Sequence, residues 1–364
     1  MTLPLTGIRI LDLSRVLAGP LASMILGDLG ADVIKVERPG SGDETRGWGP
    51  PFDERGESAY YLSINRNKLG LAAELTRPED LALLRGLIAD ADVVMENFRP
   101  GTLERYGLGA EAMLAAHPRL LWCTITGFGL ASPRPGYDFV VQAESGWMAI
   151  TGDPSGAPTK AGVAVADVLA GKDAAIAVLA ALAGGRRGER RLSVSLLHSA
   201  TTALVNVAQN ALVSGQEARR WGNAHANLVP YQLFEAADRA LVIAVGNDAQ
   251  FVACARALGL PGLAEDPAVA TNAGRLAHRE RVVTTIAAQV RTAPAAHWVA
   301  RLDAAGIPCG VVKPVLEALQ AVSASALTGV APQAPGTVRR PPPRLDEHGT
   351  VIRRDGWGAF GSVG

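Results

Sequence analysis

Cysteine is scarce in this chain: three residues in 364, Cys123, Cys254 and Cys309, scattered and without a CxxC pair. That count and spacing argue against a disulfide framework and a zinc–thiolate site, and they fit a reducing compartment. An excess charge of one sign is also missing. Lys plus Arg and Asp plus Glu both number 35, so no global field draws the chain to nucleic acid or an acidic membrane, although a local basic patch for a phosphorylated ligand stays open. Long hydrophobic runs are lacking too. The most apolar one, residues 174–183, is Ala-rich, too short to span a bilayer, and closed by Gly184-Gly185-Arg186-Arg187-Gly188. The opening Met-Thr-Leu-Pro-Leu-Thr-Gly has neither the basic nor the apolar part of a secretory signal. A soluble, cytoplasmic protein is expected. His117, His198, His278, His297 and His348 show no metal-ligand spacing, and no metal is expected.

What is present is a chain long enough for two domains or one elaborate one. Its 48% apolar and 19% charged residues suit a well-buried enzyme. Over the first 130 residues, strand-like and helix-like periods alternate. Strands are predicted at 7–13, 32–37, 69–75, 92–97 and 120–126. Helices are predicted at 20–29 and at 77–89, the latter opened by Pro78-Glu79-Asp80. This alternation predicts an α/β fold with a doubly wound, mostly parallel sheet covered on both faces. The large domain is expected over 1–200, completed by 319–364. A strand and long helix follow from 192 to about 213, with 201–219 as a linker helix, and a smaller inserted α+β domain spans 220–318. The tail from Pro332, with Arg-Arg-Pro-Pro-Pro-Arg at 339–344, reads as an extended wrap and not a packed unit.

Doubly wound sheets bind ligands at the carboxyl ends of their strands. Those ends here carry Ser14-Arg15, Glu37-Arg38-Pro39-Gly40, Asn97-Phe98-Arg99-Pro100-Gly101 and Gly127-Phe128-Gly129. The dinucleotide fingerprint GxGxxG is missing after the first strand, where Ser14-Arg15-Val16-Leu17-Ala18-Gly19-Pro20 stands instead, which weakens a nicotinamide-enzyme reading. Asp167 follows Ala-Gly-Val-Ala-Val-Ala, read as an apolar strand, and precedes small residues at helical spacing (Ala170, Ala174, Ala177, Ala181). A carboxylate there is either a helix N-cap or a poorly solvated nucleophile near backbone N–H groups, and spacing alone leaves both open.

Several segments occur together and in order: LTGIRILDLSRVLAGP, LGADVIKVERPGSGDETRG, NFRPGTLERYGLG and PGYDFVVQAESGWMAITGDPSGAPTKAGVAVADVLAG. They closely resemble the family III CoA-transferases, the group of formyl-CoA transferase, the carnitine CoA-transferases and the α-methylacyl-CoA racemases. The resemblance runs over residues 3–315. Residues 219–251, RRWGNAHANLVPYQLFEAADRALVIAVGNDAQF, look most like the branch containing succinyl-CoA:glutarate CoA-transferase. The resemblance implies a homodimer of two chains threaded as interlocked rings. Each chain would have a Rossmann-like large domain, built from both termini, and a smaller one between.

The resemblance also implies the chemistry. Asp167 would attack an acyl-CoA thioester as an already ionised carboxylate and carry the CoA to a free carboxylic acid through mixed-anhydride and aspartyl-CoA thioester stages. Coenzyme A is then a substrate, and no tightly bound cofactor is implied. Arg38, Asn97, Phe98, Arg99 and Arg105 match positions lining the family's CoA pocket, and Leu75 and Arg134 match it more loosely. An ordinary ion pair is the alternative for Arg38 (with Glu37) and Arg105 (with Glu104). Gly246-Asn247-Asp248 matches an active-site loop that closes over the reacting centre, and keeps one Gly where relatives have a Gly-rich run. His225 sits in Gly-Asn-Ala-His-Ala-Asn, with Ala226 where the family often has Pro. Leu17 stands where formyl-CoA transferase has Gln, which points to a larger or more apolar acyl group. Arg15 or Arg46 would pair the distal carboxylate of a diacid, with succinyl-CoA as donor. Two other readings remain. In a racemase, a His of a Gly-His-Asp triplet would partner the Asp, but here the triplet is Gly136-Tyr137-Asp138. A non-catalytic CoA-binding protein would keep only the fold.

Overall fold

The computed structural model describes residues 2–363. The chain runs β1 (Arg9–Asp12), α1 (Ala18–Asp28), β2 (Asp32–Glu37), α2 (Ala59–Leu62), β3 (Lys68–Ala72), α3 (Pro78–Ala89) and β4 (Val93–Glu96). It continues through α4 (Ala110–Ala116), β5 (Leu121–Thr126), α5 (Asp138–Glu144), α6 (Trp147–Ile150), α7 (Val165–Ala183), β6 (Arg191–Ser195), α8 (Leu196–Thr202) and α9 (Val205–Ser214). All six strands pair in parallel, in the order β3-β2-β1-β4-β5-β6. Strand order reverses between β1 and β4, so the loops that follow these two strands flank one crevice. The sheet's near-continuous apolar runs follow from its burial on both sides. Leu11, Ile34, Leu69, Val94 and Trp122 face one layer with Leu84 and Leu87 of α3. Their strand neighbours Ile10, Val33, Val93, Leu121 and Cys123 face the other, with Ala22 and Leu26 of α1 and Ala170, Ala174 and Val178 of α7.

Helices α1 and α7 approach closely because small residues meet. A Cβ on Gly171 would lie 2.7 Å from the Ala18 carbonyl oxygen. Three local expectations are corrected. The run ahead of Asp167 forms no strand; it is irregular, and Gln142 fixes it by accepting from Ala161 N (2.8 Å) and donating to Val163 O (3.3 Å). The long helix read to about 213 is interrupted at Ala203 and Leu204. The tail does pack. It is extended through Pro341–Pro343, then forms two short helices, Gly349–Asp355 and Ala359–Ser362, with Ile352, Trp357 and Ala359 buried in the α3 layer. The Arg-Arg-Pro-Pro-Pro-Arg run at 339–344 masks the brief helical signal behind it.

Two compact units emerge. The first comprises residues 1–148, 160–216 and 322–364, and the second 149–159 and 217–321. The second unit has an antiparallel sheet of β7 (Tyr231–Glu235), β8 (Ala240–Ala244) and β9 (Cys309–Val311). Its helices include α10 (Asp248–Ala257), and its core gathers Phe234, Leu241, Phe251, Ile286 and Trp298. Among the described residues, no helix is long and apolar enough to cross a membrane, and no cluster of three His, Cys, Asp or Glu could hold a metal ion.

Candidate active site

The β1–α1 turn is fixed from outside. Asn97, just past β4, accepts from Arg15 N (2.9 Å) and donates to Arg15 O (2.8 Å), so the two loops of the crevice are tied together. Between them and the crossing of Gly127 and Gly136 opens a cleft of about 700 Å³, including its mouth. Val16, Ala18, Phe98, Arg99, Tyr137 and Asp167 line it, with Arg15, Asn97 and Arg134. Among the sequence-derived candidates, Asn97, Phe98, Arg99 and Arg134 therefore share one cavity with Asp167.

Arg38 and Leu75 line a neighbouring cleft of about 910 Å³, including its mouth, that has Phe98 and Arg15 as shared wall. Arg38 has no ion pair among the described residues, because its neighbour Glu37 is taken by Arg46. Arg105 lines neither cleft. It is exposed and donates to Gly101 O (3.3 Å). Arg134 pairs with Glu144 and lies over the Phe128 ring at 4.1 Å.

Arg46, one of two candidates for a distal carboxylate, is corrected: it is buried between Glu37 and Glu57 at 2.7 Å, with Tyr61 Oη also accepting, and has no free face. Among the described residues Arg15 has one ion pair, with Glu44, and both side chains are nearly half exposed; its guanidinium also lies 5.7 Å from the Phe98 ring centre. Gly246-Asn247-Asp248 lies in the second unit, where Asn247 caps α10 by accepting from Gln250 N and Asp248 pairs with Arg275 at 2.8 Å. His225 Nδ1 accepts from Asn227 N (3.0 Å), a bond that holds its own loop.

Asp167 sits in the first turn of α7, three residues beyond the N-cap position, Ala164. The capping bond comes instead from Asp138, whose Oδ1 accepts from Ala166 N (2.8 Å) while Oδ2 accepts from Gln142 Nε2 (2.7 Å). The cap reading of Asp167 is thereby replaced. Its half-buried carboxyl has no hydrogen-bond partner among the described residues and faces the cleft. Burial, followed by the nearby Asp138 charge, pushes its pKa up to about 7. Desolvation and a like charge both oppose ionisation, which runs against the expectation of an anion fully formed well below neutrality.

Two neighbours escaped the sequence reading in this role. Asp138 appeared only as part of a triplet. Tyr60 gave no signal at all; its phenol is pushed up to about 12 by burial and then by Asp167 and Asp138, and its ring meets Trp48 edge-on at 5.1 Å. Only the crossovers of the fold bring these residues to α7.

Residues 5–355 match the sequence profile of CoA-transferase family III. A succinate–glutarate CoA-transferase of Agrobacterium fabrum is 41% identical over 374 residues, covering 95% of this chain and 94% of the relative. Succinyl-CoA:glutarate CoA-transferase of Mus musculus is 44% identical over 314 residues, covering 85% and 72%. Among solved structures, a CAIB/BAIF family protein from Brucella suis superposes with a TM-score of 0.86 at 37% identity, covering 98% of this chain and 100% of that one.

Proposed function

The chain belongs to CoA-transferase family III, and from that premise we propose that Asp167 carries acyl groups and CoA between a thioester donor and a dicarboxylic acceptor. That it is a CoA-transferase, acting on a CoA thioester and a free acid, follows from the family. The nucleophile assignment rests on one observation: a half-buried carboxyl in the cleft, spared from capping by Asp138 and without a hydrogen-bond partner among the described residues.

The proposed sequence balances without cofactor or metal. An Asp167 oxygen attacks the donor carbonyl, the C–S bond breaks, and a mixed anhydride and CoA thiolate result. The thiolate then attacks the Asp167 carbonyl carbon, releasing the donor acid and leaving an aspartyl-CoA thioester. The acceptor carboxylate attacks that thioester, and the returning thiolate takes the acceptor acyl group and frees Asp167. Every stage is an activated acyl group, so one difficult exchange becomes several easier ones. A raised pKa suits the task, since the anion is poorly hydrated.

The substrates for which the relatives are named, together with Arg15, support the dicarboxylate reading. Arg15 shares the cleft with Asp167, and its exposed pair with Glu44 is weak enough to exchange for a ligand carboxylate. Succinyl-CoA is the proposed donor. We also read the protein as an interlocked homodimer; Leu212 and Val213 of α9, 77% and 78% exposed, support a covering partner surface.

Incubation with succinyl-CoA and hydroxylamine, followed by peptide mass analysis, is expected to give a hydroxamate at Asp167 and none in Asp167→Asn. Asp167→Asn that retained full exchange would overturn the assignment. Arg15→Gln is expected to raise KM for a diacid acceptor at least tenfold and for a monoacid of equal length far less. Equal effects on both would remove Arg15 from diacid recognition.

A further inference from the structure

Four ionisable side chains lie together beneath the β1–α1 turn, and the transfer chemistry uses none of them. Asp12, Lys35 and Lys68 are 0% exposed and Asp43 1%. Lys68 pairs with Asp12 at 3.0 Å, and Lys35 with Asp43 at 3.0 Å. Burying two such pairs is a poor way to stabilise a fold, because apolar residues of equal volume often do as well or better. Their other bonds show what they do. Asp12 Oδ1 accepts from Ser14 N (3.0 Å), Lys35 Nζ donates to Ser14 O (3.0 Å), and Lys68 Nζ donates to Pro20 O (2.9 Å). Asp43 accepts from Val16 N through both oxygens, at 3.2 and 3.3 Å, and Thr45 N and Oγ1 orient it at 3.0 and 2.9 Å. With Asn97 on Arg15, the backbone N–H groups of residues 14 to 16 are each held by a side chain from elsewhere.

The turn needs holding. Val16 has φ +69°, left-handed backbone that a β-branched residue strongly disfavours. Such conformations persist only where their surroundings over-determine them, and they gather at functional sites. Val16 and Ala18 line the same cleft as Asp167.

We infer that Asp43, backed by Lys35, is a positioning residue for acyl transfer: by gripping the Val16 N–H it holds the turn in its left-handed form and sets the wall against which the thioester is presented to Asp167. This rests on the reading of that cleft as the acyl-CoA site. An error of an ångström in such a wall penalises the reacting geometry more than binding, so the effect belongs to kcat.

The test compares Asp43→Asn, Val16→Gly and the double variant with the wild type, well below the melting temperature and with the folded fraction measured by circular dichroism. Asp43→Asn is expected to lower kcat per folded enzyme at least tenfold with less than a threefold change in KM. Glycine adopts φ near +69° unaided, so Val16→Gly in the Asp43→Asn background is expected to recover at least threefold of that loss. A merely structural Asp43 would lower the melting temperature, leave kcat and KM of the folded enzyme unchanged, and show no recovery; that result overturns the inference. Should Asp43→Asn not fold, Thr45→Val removes one hydroxyl donor to Asp43 and leaves both ion pairs. A kcat loss of about threefold, reversed by Val16→Gly, is then expected, and an unchanged kcat overturns the inference equally. Hydroxamate formation separates the two layers. Its absence in the wild type removes the cleft reading and the inference with it, whereas equal rates in wild type and Asp43→Asn remove only the inference.

Discussion

At the scale of single residues, Asp138 does two things to Asp167 with one carboxylate. It takes over the capping bond that would have tied Asp167 to its own helix, and its charge opposes ionisation of its neighbour. In the proposed mechanism the attacking form of Asp167 is the deprotonated one, so acylation would require loss of a proton from a carboxyl whose pKa burial and Asp138 push up to about 7. The sign follows: kcat/KM for the acyl-CoA is expected to climb about tenfold per pH unit below that value and to level off above it. Asp138→Asn keeps an oxygen for Ala166 N and removes the like charge, so the rising limb is expected to move to lower pH. Because burial is the larger cause, the limb remains above the ordinary carboxylate range. A pH–rate profile of the variant that overlays the wild type would show that Asp138 does not tune Asp167.

At the scale of elements, the site is placed by the contact between α1 and α7. Gly171 lies one turn after Asp167 on the same helix face, against the Ala18 carbonyl oxygen. Backbone cannot swing aside as a side chain can. In Gly171→Ala the gain in helix propensity, about 1 kcal/mol, is set against overpacking of about 1 to 3 kcal/mol. A lower melting temperature and a several-fold lower kcat are expected, and equal stability and turnover would contradict so close an approach. Much of this layer is readable from residue pattern. β2 matches the strand read at 32–37 because apolar residues run between a turn and a charged exit, and α3 begins at Pro78 because proline and two acids open a helix well. The segment before Asp167 misleads because Val163 and Val165 alternate as in a strand. Val163 is instead 63% exposed, and Gln142 fixes the segment where a neighbouring strand would. Asp43, Tyr60 and Asp138 acquire their roles only through crossovers, and local pattern carries no trace of which loops those crossovers unite.

At the scale of the whole chain, the first unit is finished by residues that come after the second. β3 is an edge of the six-stranded sheet, and an open edge of buried, apolar sequence invites pairing with other chains. The returning tail closes it. Arg340 O accepts from Asn67 N (3.0 Å), Asp346 accepts from Ala72 N (2.7 Å), and His348 exchanges bonds with Gly70 through N (3.0 Å) and Nδ1 (3.1 Å). Trp357 anchors the end, 6% exposed, with Nε1 donating to Leu87 O at 3.0 Å. Trp357→Ala is therefore expected to cost about 3 to 5 kcal/mol, a fall in melting temperature of about 10 °C. It also frees an edge that promotes aggregation on heating. Arg354→Ala, in an exposed pair with Asp355, is expected to change stability by less than about 1 kcal/mol. Neither residue lines the cleft around Asp167, so turnover of the folded Trp357→Ala protein at low temperature is expected to stay within about twofold of wild type. Thermal melts with light scattering, read beside kcat at 15 to 25 °C, decide the matter. A Trp357→Ala protein that melts with the wild type would mean that the sheet edge is sealed without its anchor.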